Sequence, residues 1–195
     1  MAFYYANVNP HDRFDAYDVR RAAYSSLLAG ACGHTYGNNN VWQMWEPGRE
    51  PVYRACVPWR EALDHAGAFQ MGIVRRLFES RPFEKLVPDQ GVILDGPHND
   101  TVKVRAACAS DGSFAFVYSP RGRPFTVRMD VVQSPSVQAT WFDPRYGIAE
   151  PICVRMRGSA GSNIFVPPTS GPGNDWILVL DDARREFPPP GGAVD

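Results

Sequence analysis

The chain has 195 residues, 44% of them hydrophobic and 21% charged, with a formal net charge of -1. That length allows one large domain or two small ones, and the balance is that of an ordinary globular protein. The basic residues are scattered, which argues against nucleic acid or an anionic membrane as partner, and no apolar run approaches the roughly 20 residues of a membrane helix.

Residues 1–11 read as an irregular lead-in. They lack the basic start and apolar stretch of a signal peptide and leave the compartment open. Asp15 or Asp12 can cap a helix, and Asp18 favours its first turn. Tyr17, Val19, Ala22, Ala23, Leu27 and Leu28 give that helix an apolar face, which Gly30 or Gly33 ends. A short strand is expected over His34–Tyr36, followed by a long loop from Asn38 to Pro58. Trp59 opens a second helical stretch that Ala66 and Gly67 interrupt. Phe69, Met71, Ile73, Val74, Leu77 and Phe78 recur there at helical spacing, as core residues.

Residues 79–90 form a proline-broken connector, after which the hydrophobic period changes from 3.6 to 2. Strands are expected at Val102–Ala106, Phe114–Tyr118, Phe125–Met129, Val137–Phe142, Asn163–Val166 and Trp176–Leu180. Proline (18) and glycine (17) are plentiful and concentrate after residue 87. Short strands at this spacing predict an antiparallel sandwich of about 100 residues. The tail 188–195 reads as disordered.

The four cysteines, Cys32, Cys56, Cys108 and Cys153, form no C-x-x-C pair and no zinc spacing, so no metal or cofactor is implied. Cys108 and Cys153 fall in one module, either as free buried thiols or as a disulfide.

The stretch Gly30–Trp45 concentrates the chemistry. Amides beside flat aromatic rings suit a polyhydroxylated ligand, because amides match hydroxyls and indoles cover the apolar face of a sugar ring. The candidate substrate-binding residues are His34, Tyr36, Asn38, Asn39, Trp42 and Trp45. A plain buried strand and turn is the competing reading, with His34 as a core histidine. Ser25 and Ser26 lack any nucleophile-elbow motif, and no phosphate-cradling glycine loop is present.

The blocks Asp18–Tyr24, Leu28–Gly37 and Val41–Trp45 resemble the late part of the apiosidase-like glycoside hydrolases, which are (β/α)8-barrel enzymes. Ala68–Met71, Leu77–Phe83 and Leu86–Gln90 continue the likeness. Asp111–Pro120 and Asn174–Leu180 resemble the β-sandwich appended to such barrels, named a putative collagen-binding domain. The resemblance implies an α+β chain with the last βα units of a barrel over 1–87 and the sandwich over 88–187. Barrel function sits on the loops after the strands, where Asn38–Trp45 would fall.

Glycoside hydrolysis needs two carboxyl groups, about 5 to 5.5 Å apart in a retaining enzyme. In the resembling family the nucleophilic glutamate lies in a Gly-Glu-Pro-type motif before the helix that begins here near Asp15. That register puts it at or just before Met1, with the acid/base residue further upstream, and no glutamate precedes Glu46. Asp12, Asp15 and Asp18 read as helix-start residues and Glu46 as a solvated loop charge. The expectation is the C-terminal portion of a hydrolase of plant or microbial polysaccharide side chains, inactive alone, with a carbohydrate partner. The alternative is a non-catalytic carbohydrate- or protein-binding accessory module using Trp141, Phe142, Tyr146 and Trp176, unless these are core. On either reading the sandwich is expected to bury its own faces and fold alone, and the helical part to expose the faces of absent barrel units.

Overall fold

The computed structural model describes residues 14–98, 102–156 and 161–192, with backbone alone at 153–156. Asp12, the lead-in, the Cys153 side chain and residues 193–195 lie outside the described residues.

Helix α1 (Ala16–Leu27) starts where the sequence demands. Asp15 Oδ1 accepts from the backbone N–H of Tyr17 and Asp18 at 2.7 and 3.1 Å, and Asp18 Oδ2 accepts from Asp15 N at 3.2 Å. This reciprocal cap satisfies donors that the first turn leaves orphaned. Gly30, at φ 95°, turns the chain so that Ala31 N donates to Ser26 O at 3.0 Å, a left-handed stop that a Cβ would oppose.

The expected strand at His34–Tyr36 is absent. The segment is extended but has no ladder partner among the described residues, and a strand exists only when a neighbour takes its backbone groups. The long loop also holds a short helix, α2 (Asn39–Trp42), and a 3-10 turn, Val52–Arg54. Helix α3 spans Trp59–Ala62 and α4 Ala66–Glu79, so Ala66 and Gly67 open the second helix instead of interrupting it. Gln70, Ile73, Val74, Leu77 and Phe78 form its buried face. Phe69 is exposed instead, because it falls outside the i, i+3, i+4, i+7 stripe those residues define.

The strands among the described residues are β1 (Leu86–Pro88), β2 (Ile93–Asp95), β3 (Arg105–Ala109), β4 (Phe114–Ser119), β5 (Phe125–Arg128), β6 (Val137–Asp143), β7 (Ile148–Met156), β8 (Ser162–Phe165) and β9 (Trp176–Asp182). They make an antiparallel six-stranded sheet in the order β1-β3-β4-β9-β6-β7 and a three-stranded sheet in the order β2-β5-β8. The chain is α+β, and among the described residues no barrel closes. The long strand β7 escapes a sequence reading because Pro151 interrupts it. It lies at the sheet edge, where a missing N–H is tolerated.

Two cores share the six-stranded sheet. Its inner face, including Val117, Trp141, Trp176 and Leu178, packs on Phe125, Val127 and Phe165 of the small sheet. Its outer face, including Phe114, Phe116, Tyr118 and Val179, packs on Tyr24 of α1, on Leu28 at the end of that helix, and on Ile73, Leu77 and Phe78 of α4. The sandwich therefore does not bury both of its own faces. Each fully buried aromatic contributes roughly 1.5–3 kcal/mol by transfer alone, so the helices and the sheet stabilise each other. Cys108 is a free buried thiol, pushed up to about 12 first by burial and then by the nearby Asp89 charge.

Helix α4 packs against the β6–β7 turn through Gln70 and Ile73, and the C-terminal segment lies against Phe142 of β6 at Gly191. Where a disordered tail was expected, Pro188 O accepts from Arg81 Nη1 at 2.9 Å and Gly191 N donates to Ser80 Oγ at 3.2 Å.

Candidate functional site

The loop between α1 and α4 holds all six residues singled out from the sequence. Asn38 is the N-cap of α2: its Oδ1 accepts from Asn40 N at 3.0 Å and Asn40 Nδ2 at 2.9 Å. Its Nδ2 donates toward Ala62 O at 3.3 Å and lies 3.3 Å from the Tyr36 hydroxyl and 3.0 Å from His65 Nδ1. The Tyr36 ring packs on Gly67, 3.5 Å from where a Cβ would stand, which seats the loop on the first turn of α4.

Asn39 Nδ2 donates to the carbonyls of Val52 and Tyr53 at 2.8 and 2.9 Å. Gln43 Nε2 reaches Asn39 Oδ1 at 3.1 Å and Val52 O at 2.9 Å, while Gln43 Oε1 accepts from Val52 N at 2.9 Å. Asn40 Oδ1 accepts from Cys56 N and Val57 N at 2.9 and 3.2 Å. These amides staple the loop to itself. A backbone this irregular must satisfy its polar groups somewhere, and side-chain amides supply the partners.

The aromatic rings are placed differently. Trp42, at the end of α2, is 68% exposed, with its Nε1 3.6 Å from the position of a Gly37 Cβ. Trp45 is half-buried and donates from Nε1 to Arg49 O at 3.1 Å. His34 stands exposed in the extended segment, which removes the core-histidine reading. Partial desolvation holds its imidazole below its ordinary range, and it makes no hydrogen bond to the other five. The structure thus brings Tyr36 to Asn38, and Asn39 beside the turn that carries Trp42, and leaves His34 apart.

Sequence reasoning missed Tyr53, 73% exposed, and its neighbour Val52. Asn39 and Gln43 tie this second apolar turn to the one bearing Trp42. Met44, Tyr53 and Arg54 have φ of 46°, 48° and 60°, a left-handed conformation costly for residues with a Cβ and concentrated at functional sites. No local motif announces it.

Of the carboxylates near this loop three are committed, while Glu50, Glu61 and Asp64 are exposed. Asp15 and Asp18 complete the cap of α1, and Glu46 pairs with Arg60 at 2.7 Å, whose guanidinium lies 4.3 Å from the centre of the Trp59 ring. Among the described residues no group of three or more His, Cys, Asp or Glu is placed to hold a metal ion. Rings beside a stapled backbone can cover the apolar face of a ligand.

The accessory platform is also corrected. Trp141, Trp176 and Phe142 are buried, since their strands bury the faces that carry them, and Tyr146 is exposed.

The chain resembles two known families over successive segments. Residues 3–85 match the model described as "Apiosidase-like, catalytic domain", and residues 87–181 that described as "Putative collagen-binding domain of a collagenase". A solved structure titled as a glycoside hydrolase superposes with a TM-score of 0.85 at 30% identity, over 93% of this chain and 40% of the other. A glycoside hydrolase family 5 structure from Bacteroides vulgatus gives 0.85 at 26% identity, over 96% and 40%. The chain therefore spans about 40% of the length of these structures. Among curated proteins, no significant match was found.

Proposed function

We propose that this chain, an apiosidase-like segment joined to a module of the putative collagen-binding type, is the sugar-contacting wall of a glycoside-hydrolase site. Residues 1–87 and 88–187 are its two units. The observation that carries this reading is the match of nearly the whole chain to 40% of a glycoside hydrolase structure, together with the exposed Trp42 and Tyr53 on one stapled loop. Trp42 supplies a flat apolar face for a pyranose or furanose ring, Trp45 and Tyr36 line the approach, and His34 offers a hydrogen bond at the rim. Asn38 and Asn39 act by fixing the loop.

The general acid and nucleophile of glycoside hydrolysis are carboxyl groups. Asp15, Asp18 and Glu46 are held in a helix cap and an exposed ion pair, and Glu50 stands exposed on the loop, with no second carboxylate paired to it among the described residues. The catalytic pair belongs, on this reading, to polypeptide outside this chain, and the chain alone binds saccharide without cleaving it. The substrate class is side chains of plant or microbial polysaccharide. Exposed Leu63, Phe69 and Phe83 are the apolar surface on which that further polypeptide would rest.

The test is an assay of the chain against aryl glycosides and pectic oligosaccharides, with tryptophan fluorescence titrated by the same saccharides. Millimolar binding that Trp42→Ala removes, without turnover, is the expected result. Turnover abolished by Asp18→Asn with Glu46→Gln would overturn the assignment. The accessory-module reading loses its platform with the burial of Trp141 and Trp176.

A further inference from the structure

A cleft of about 250 Å³, with no lining residue from the Trp42 loop, lies over the outer face of β6 and β7. It is bounded by Arg81, just beyond the end of α4, and by the chain from Phe187 to Pro190. Gln138 and Thr140, which point to one side of β6 by the two-residue period, form the floor with Ala149 and Pro151 of β7. Phe187 and the three prolines form an apolar wall, pinned by Arg81 and Ser80.

The polar groups here divide into two sets. Arg81 and Asp181 neutralise one another in a bidentate pair at 2.8 and 2.8 Å, and Asp182 is held by Arg184 and Ser134. The other set is uncommitted. The Thr140 hydroxyl is buried without a hydrogen-bond partner. The Gln138 amide and the Glu186 carboxylate, both exposed, make no hydrogen bond or ion pair among the described residues. Glu186 also sits at φ 51°, a left-handed conformation that a glutamate adopts only when its surroundings impose it. A buried hydroxyl without a partner calls for an explanation, and a cleft with convergent polar groups against an apolar wall is the form of a small-molecule site.

We propose that this cleft binds a neutral polyhydroxylated molecule, a free monosaccharide or the end of a glycan. The Gln138 amide and the Glu186 carboxylate pair with ligand hydroxyls, Thr140 contributes its hydroxyl from the floor, and the prolines cover the apolar face of the ring. With Arg81–Asp181 and Asp182–Arg184 internally balanced, Glu186 leaves one unpaired negative charge, which disfavours uronates and phosphate. The site is independent of the Trp42 loop and of the reading given to it.

The full chain would be examined by saturation-transfer NMR with methyl glycosides of neutral sugars. Glucuronate and inorganic phosphate serve as anionic probes, and trisaccharides separate a chain end from a free sugar. Neutral glycosides are expected to bind and the anions not. Gln138→Leu, at an exposed position, should weaken binding by about fivefold to tenfold, the equivalent of one hydrogen bond. Thr140→Val should weaken it similarly without lowering the melting temperature, since the hydroxyl it removes has no partner. Trp42→Ala removes only what the loop contributes, so binding that responds to Gln138→Leu should persist in its background. Absence of binding, equal binding of glucuronate, complete loss with Trp42→Ala, or indifference to both cleft variants would each overturn the proposal. Should Thr140→Val fail to fold, Gln138→Leu alone decides it.

Discussion

Arg20 of α1 and Asp175, just before β9, meet as a buried bidentate pair across 155 residues of sequence, with Nε to Oδ2 at 3.0 Å and Nη2 to Oδ1 at 2.7 Å. The same carboxylate accepts from the Tyr118 hydroxyl at 3.2 Å, and Arg20 Nη1 donates to Gln70 Oε1 at 2.7 Å. One ion pair thus joins both long helices to the sandwich. Desolvation raises the Asp175 carboxyl, which opposes its charge; burial pushes the Arg20 guanidinium down, but the hydrogen bond and charge of Asp175 together raise it above its ordinary value. The two-pronged geometry and the tyrosine hydroxyl decide for the charged pair at neutral pH.

Arg20→Ala leaves a carboxylate in the core with no cation. The expected loss is about 3–5 kcal/mol, whereas Arg20→Met combined with Asp175→Leu should recover most of it. Chemical denaturation of the three chains tests this. A single variant as stable as the parent would mean that the pair holds nothing together.

Gly122 lies at φ 55°, and a Cβ there would stand 2.0 Å from Thr169 O. Gly122→Ala should therefore cost well above the about 1–2 kcal/mol of left-handed strain alone. Gly48→Ala, at φ 94° with open space around it, should show only the strain. Melting temperatures of the two variants separate the clash from the strain.

Acid should weaken the fold partly through Asp111, held down to about 2 first by the Ser113 hydroxyl and next by Lys85. A depressed carboxyl contributes stability that is present above its unfolded value near 3.8 and is lost as pH falls through about 2. Between pH 4 and 2 the parent should lose more stability than Asp111→Asn. Parallel stability curves would remove Asp111 from the account.

An isolated segment of residues 88–187 would expose Phe114, Phe116, Tyr118, Ile177 and Val179, which the helices now cover. It should melt below the full chain and bind a hydrophobic dye. Equal stability would mean that the helical layer adds little.

Asn38→Ala removes the cap of α2 and the link to Ala62. Loss of such a cap costs about 0.5–2 kcal/mol locally, so proteolysis between residues 38 and 58 should accelerate while the global melting temperature stays close to that of the parent. Cleavage elsewhere first would place the weak point outside the loop.

Much of this was legible in the order of residues. The Asp15–Asp18 cap, the apolar stripe of α4 and the alternating strands β4, β6 and β9 are written in local chemistry and periodicity, which a chain carries with it wherever it folds. The Gly30–Trp45 stretch stands out by composition for the same reason. Tertiary structure alone decided the rest. It left His34–Tyr36 without a strand, since a strand needs a neighbour, and admitted β7 despite Pro151, since an edge does not need every donor. It turned the asparagines inward to the loop's own carbonyls while Trp42 and Tyr53 faced outward, and it brought Arg20 to Asp175. Hydrogen-bond partners and burial are properties of pairs distant in the chain, and no single position in the sequence records them.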